Sequence, residues 1–202
     1  MTDATATAVL TATEEDGLRA DLYDLLGALL SRPPTDAVLA SIAALDGDDS
    51  ELGAAVTTLA HAAKRTDARR ADREFHKLFI GLGRGELLPY ASVYLTGFLH
   101  EKPLARVRRD MAALGMTRAA GVPEPEDGIA TLCEVMAAAI RGTHGVPVPL
   151  SRQRELFNTH LAPWAGHFFA DLEGAKTAEF YRPVGTVGRL FVEIEKQAFR
   201  MA

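Results

Sequence analysis

Residues 121–141 read GVPEPEDGIATLCEVMAAAIR. The first seven form a loop that feeds a helix. Proline near a first turn costs no hydrogen bond, and Glu124, Glu126 and Asp127 stand at the positive end of the helix dipole. Beyond them Ile129, Leu132, Cys133, Met136 and Ile140 recur at the spacing of one helix face.

The same period extends in both directions. Leu18, Leu22, Leu25, Leu26, Leu29 and Leu30 define a helix from Glu14, ended by Arg32-Pro33-Pro34 because proline lacks an N–H and restricts its predecessor. A second helix is predicted from Thr35 or Asp36 to Leu45, a third from Glu51 to Lys64, and a fourth from Asp67 to Leu82 with Phe75, Leu78, Phe79 and Leu82 on one face. Leu104, Val107, Met111 and Leu114 mark another, closed by Gly115. Helices from Ser151 to Leu161 and from Ala162 to Leu172 follow. The last places Val187, Leu190, Phe191, Ile194 and Ala198 inside and Glu193, Glu195 and Lys196 outside. Strand-like alternation is lacking throughout. The expected fold is all-α, one domain of about nine to ten helices. It spans residues 14–202, after a frayed tail (1–13), with a hinge near 115–125 between its N- and C-terminal helical parts.

Composition narrows the function. A chain of 202 residues with 48% hydrophobic and 24% charged residues has enough apolar material to fold around a core. Its net charge of −5 argues against nucleic acid, which selects a basic footprint, and suits a basic partner. Cys133 stands alone, so neither a disulfide framework nor a cysteine zinc site can form within the chain. The N-terminus shows no basic region ahead of an apolar run, and no stretch of about 18 apolar residues occurs, so a cytoplasmic protein outside the membrane is expected.

No catalytic set emerges. Gly81-Leu82-Gly83-Arg84-Gly85 follows a helix instead of a strand and lacks the Gly-Lys-Ser/Thr of a phosphate loop. The six histidines show no i,i+4 ligand pair, and His160 and His167 are separated by Pro163. Cys133 lies on an apolar face, which predicts an inert thiol. Arg106, Arg108, Arg109, Arg118 and the pair Arg69-Arg70 read as solvated faces. The chain is expected to be no enzyme and to hold neither metal nor cofactor. What remains is the acidic trio Glu124, Glu126 and Asp127, suited to bidentate bonds from arginine, and aromatics such as Trp164 that could line a groove.

Glu124-Pro125-Glu126-Asp127 opening a helix resembles the Glu-Pro-x-Asp signature of the TorD/DmsD family of cytoplasmic redox-enzyme maturation chaperones. Glu74-Phe75-His76-Lys77-Leu78-Phe79 before a glycine loop, Leu88-Pro89-Tyr90-Ala91-Ser92-Val93-Tyr94, and Phe157, His160 to Trp164 and Phe180-Tyr181 resemble further family segments in the same order. The resemblance spans residues 72–199.

It implies an all-helical chaperone that binds the twin-arginine signal peptide, the apo form, or both, of a molybdopterin-containing oxidoreductase, a formate dehydrogenase by overall flavour. Binding would assist cofactor insertion and delay export. Homodimers, domain-swapped forms among them, are implied as well, and weak guanine-nucleotide binding is discussed for the family. Glu124, Glu126 and Asp127 would meet the peptide's arginines; Tyr90, Ser92, Tyr94 and Trp164 would shape its apolar part. Asp127→Ala is then expected to fold normally and bind peptide weakly. The family commonly carries His directly after this Asp; here the position is Gly128. The alternative is a helical small-molecule binder or an enzyme with no recognisable catalytic set.

Overall fold

The computed structural model describes residues 14–118, 124–142 and 146–201. Among them run ten α-helices and one π-turn, with no β-strand. In chain order these are α1 (Glu14–Ser31), α2 (Asp36–Ala43), α3 (Glu51–Lys64), α4 (Ala68–Phe75), the π-turn (His76–Ile80) and α5 (Ala91–Thr96). Then follow α6 (Lys102–Ala113), α7 (Ile129–Arg141), α8 (Leu150–His160), α9 (Ala165–Gly174) and α10 (Tyr181–Met201). The all-α expectation holds. The expected tail (1–13) and residues 119–123 of the expected hinge lie outside the described residues.

Side-chain caps set the early boundaries. Thr35 Oγ1 accepts from the Val38 amide, Ser50 Oγ from Gly53 and Asp67 Oδ1 from Arg70, each satisfying a first-turn N–H that has no partner in its own helix. The helix expected to run unbroken to Leu82 changes character first. After Phe75 the backbone widens into the π-turn, closed by the Gly81 amide on the His76 carbonyl at 2.6 Å, and Gly81 leaves it at φ 64°. The turn re-aims Phe79 and Ile80, and Ile80 is left half exposed.

Two helix pairs build the core. α1 lies antiparallel along α7: Gly27 faces Ala130 and Cys133, while Arg141 at the other end of α7 pairs with Asp21 and Asp24. Cys133 is buried, and burial pushes its thiol pKa up, as expected of an inert side chain. α9 and α10 form the second antiparallel pair. A Cβ on Gly188 would fall 2.2 Å from the Phe169 ring, so this close approach requires glycine. α3 packs against α10, and α2 covers α3.

The pairs meet where α1 touches α10, and here the sequence reading is corrected. Glu195, expected outside, is 1% exposed. Its carboxylate accepts from Arg19 Nε at 2.7 Å, Arg19 Nη2 at 2.9 Å and the Tyr23 hydroxyl at 2.9 Å. Burial works against the Arg19 charge, but the bonds to Glu195 more than offset it, and its pKa ends above the ordinary value. Ile194, expected inside, is 46% exposed, and so is most of Leu18 on α1.

A second long-range device fixes where α10 begins. Glu74 of α4 accepts the amides of Glu179 (2.7 Å) and Tyr181 (2.8 Å) on one oxygen and that of Phe180 (3.0 Å) on the other. Beyond the glycine loop, Glu86 takes the amides of Lys176 (2.7 Å) and Thr177 (3.2 Å). Two carboxylates flanking one loop thus hold the connection that enters the longest helix.

Candidate functional site

The segment before α5 and the segment before α7 run side by side. The Ala91 amide donates to the Asp127 carbonyl and the Ile129 amide to the Pro89 carbonyl, each at 2.9 Å, forming an isolated antiparallel bridge between Tyr90 and Gly128. This places the two motif segments, some 35 residues apart in sequence, in one structural unit.

The acidic trio divides three ways. Asp127 is fully buried, and its Oδ2 accepts the Ser92 amide at 2.8 Å, capping the first turn of α5. Asp127 Oδ1 and the hydroxyl of the equally buried Ser92 have no hydrogen-bond partner in the described chain. Glu126 is buried too, held by Arg108 Nε at 2.9 Å and approached by Arg118 Nε at 3.8 Å. Glu124 alone is exposed, and its Oε2 accepts the Tyr90 hydroxyl at 2.5 Å. Burial, then the Glu124 bond, raises the Tyr90 pKa, so the phenol stays protonated and keeps donating.

Glu124 and Tyr90 open onto a cavity of about 600 Å³. Its apolar wall is Phe75, Phe79, Ile80, Pro89 and Ile129, drawn from α4, the π-turn, the α5 approach and α7. Asp24 of α1 and Glu134 of α7 stand on its rim against a single basic group, Arg32. Glu134 is an exposed residue, yet partial desolvation of its carboxyl first, and then the negative charge of Asp24, raise its pKa. The cavity is therefore apolar inside and predominantly acidic at its edge, in the size range of sites that engulf a ligand group.

Of the seven expected site residues, only Tyr90 and Glu124 line this cavity. Asp127 and Ser92 lie behind its wall, where their bond fixes the segment carrying Tyr90. Glu126 turns towards α6. Tyr94 donates to Asp171 Oδ2 at 2.8 Å and stacks 5.3 Å from Trp164, beside α9. Trp164, expected at the peptide surface, is 1% exposed and donates its Nε1–H to the His160 carbonyl at 2.6 Å, so it serves the core. Asp24, Phe79, Ile80 and Glu134 were missed. Glu134 had left a trace, an acid between the buried runs Leu132-Cys133 and Val135-Met136.

The burial of Asp127 corrects its expected behaviour on substitution. Asp127→Ala strips the cap from a buried amide and is expected to cost about 1–3 kcal/mol, whereas Asp127→Asn keeps an acceptor and most of the stability. Urea titration of both variants checks this; an alanine variant as stable as the wild type would show the cap to be dispensable.

Among the described residues no helix is long and apolar enough to cross a membrane, and no cluster of His, Cys, Asp or Glu is placed to hold a metal ion. The architecture is that of an all-helical protein whose cavity joins an apolar wall to an acidic rim.

Comparison with known proteins gives this class its family. Residues 45–170 match the profile of the nitrate reductase delta subunit family, and the chain belongs to that family, which includes the TorD redox-enzyme maturation chaperones. The chaperone protein TorD of Vibrio cholerae is 26% identical over 161 residues, covering 74% of this chain and 73% of that protein. TorD of Aliivibrio salmonicida is 28% identical over 149 residues, 69% of each chain. In fold, the chain is similar to the crystal structure of a redox enzyme maturation protein from Archaeoglobus fulgidus. The TM-score is 0.58 at 24% identity, covering 87% of this chain and 94% of that one.

Proposed function

We propose that this chaperone binds the twin-arginine signal peptide of a molybdopterin-containing oxidoreductase, and holds the apo-enzyme in the cytoplasm until its cofactor is inserted. It acts by binding, without catalysis. The observation that carries the reading is the cavity. A leader peptide joins a pair of arginines to an apolar stretch, and the cavity joins an acidic rim to an apolar wall. Glu124, already oriented by Tyr90, receives one guanidinium in a charge-assisted bond, and the Phe79, Ile80 and Pro89 wall covers the apolar part. Asp127 and Ser92 position Tyr90 from behind. Glu126, paired with the chain's own arginines, braces the same segment. Tyr94 and Trp164 support it from the α9 side.

Calorimetric titration with a synthetic leader, and with its counterpart in which both arginines are lysines, tests this. The arginine peptide is expected to bind more tightly, with an affinity that falls as salt rises. Glu124→Gln is expected to weaken it about tenfold. Equal affinity for both peptides, insensitive to salt, would overturn the reading and favour a small-molecule ligand for the cavity. Capture from the native cytoplasm then names the client. A formate dehydrogenase large subunit, lost when its leader arginines become lysines, is the expected one. Gel filtration across concentration reports whether dimers, swapped or otherwise, accompany binding.

A further inference from the structure

Glycines in this chain fall into groups by what the fold asks of them. Gly81, Gly83, Gly97, Gly115 and Gly142 have positive φ, and Gly185 and Gly188 sit where a Cβ would strike backbone or ring atoms within 2.6 Å. Gly128 belongs to neither group, nor do Gly17, Gly27, Gly166 and Gly174, but of these Gly128 is the one that lines the cavity. Its φ of −69° and ψ of 144° are open to any residue. A Cβ there would meet the Pro125 carbonyl at 3.4 Å and the Tyr90 ring at 3.5 and 3.6 Å, ordinary contacts. Gly128 is also the N-cap of α7, a place where Ser, Asn or Asp would bond first-turn amides that here receive no side chain. Helix and backbone alike would accept a side chain. The remaining neighbour is the cavity, whose wall Gly128 shares with Tyr90, Ile129 and Phe79.

We propose that Gly128 is a specificity-determining residue: by withholding a side chain beside the Tyr90 ring, it keeps the cavity open to a large apolar side chain of the bound peptide. The inference rests on the peptide-binding reading. Its chemistry is steric. Occupied by the peptide's aromatic or branched residue, the space buries that group against Tyr90, Ile129 and Phe79; filled from position 128, it shuts the group out.

The test uses the full chain and two synthetic peptides that share the arginine pair and differ in the apolar part, one carrying Phe and the other Ala. Wild type is expected to prefer the Phe peptide by at least roughly tenfold. Gly128→Leu should reduce that preference to less than about threefold, while binding stays dependent on the arginine pair and on salt. Gly128→Ser serves as the control for folding; it caps α7, should melt no lower than wild type, and should retain most of the preference. If leucine disturbs folding, the series Gly, Ala, Ser, Val must show discrimination falling with side-chain size. A Leu variant that still discriminates tenfold overturns the inference and leaves the peptide reading intact, as does a wild type that binds both peptides equally in an arginine-dependent way. A wild type that binds neither peptide overturns both.

Discussion

Glu195→Ala is expected to lower the stability of the fold by about 3–5 kcal/mol, the cost of removing one partner from a buried ion pair. The carboxylate is 1% exposed and receives three hydrogen bonds, two from the Arg19 guanidinium and one from Tyr23. Without it Arg19, whose side chain is 14% exposed, keeps its charge next to an emptied space, and the Tyr23 hydroxyl loses its acceptor. Asp16, which also bonds Arg19, stands at the outer edge and offsets little. For a chain of this length the midpoint of thermal unfolding should drop by about 6–20 °C. The companion experiment removes all three polar groups together, with Arg19→Met, Tyr23→Phe and Glu195→Met. That variant is expected to recover most of the loss, since an apolar replacement leaves no charge stranded. A single alanine variant within about 1 kcal/mol of wild type would show that the network stabilises nothing.

The second large effect belongs to Glu74. One carboxylate accepts three successive amides at the entrance to α10, a helix of 21 residues that packs on α3, α9 and α1. Glu74→Ala should cost about 2–3 kcal/mol, because part of the lost bonding can be made up by water. Glu74→Gln should fall between. Its single acceptor oxygen can still serve Glu179 and Tyr181 but leaves Phe180 facing an NH₂ group. Hydrogen exchange separates this from a general loss of stability: the amides at the start of α10 should lose protection first, while those of α7 follow only the global change. Uniform loss across both helices would mean that Glu74 does not anchor α10.

These two residues show where the sequence was readable and where it was not. Helix existence was plain, because leucine and alanine at a 3.6 period leave no strand alternative, and the caps at Thr35, Ser50 and Asp67 stood where their chemistry places them. The register of α10 was not. Its buried stripe runs through Val184, Gly188, Phe191, Glu195 and Phe199, and an acid inside it makes the neighbouring stripe through Ile194 look better. Arg19 does the same to α1, where Leu18 was read as core. Each charge is a misfit alone, and only the fold shows that they answer one another across 176 residues.

The candidate site had the same mixed legibility. Tyr90 and Glu124, singled out from the motifs, line the cavity, but the burial of Asp127 depends on a bond to an amide in another segment, which no local pattern encodes. Trp164 follows the same logic in the opposite direction. An aromatic next to a proline can line a groove or fill a core, and its neighbours Tyr94 and Phe168 decide for the core. The cavity wall at Ile80 came from the π-turn, which adds a residue to the helical repeat and cannot be seen as a period.

The seating of α1 between α7 and α10 also sets an order in time. Of the described helices α1 leaves the ribosome first, yet the partners that cover its apolar stripe begin at residues 129 and 181. Through most of synthesis that stripe lacks its two main partners. Joining α1 to these partners closes loops of more than a hundred residues, so folding should be slow for an all-helical protein and should lack an early N-terminal unit. A member of a chaperone family thus spends much of its own synthesis with α1 uncovered by its main partners.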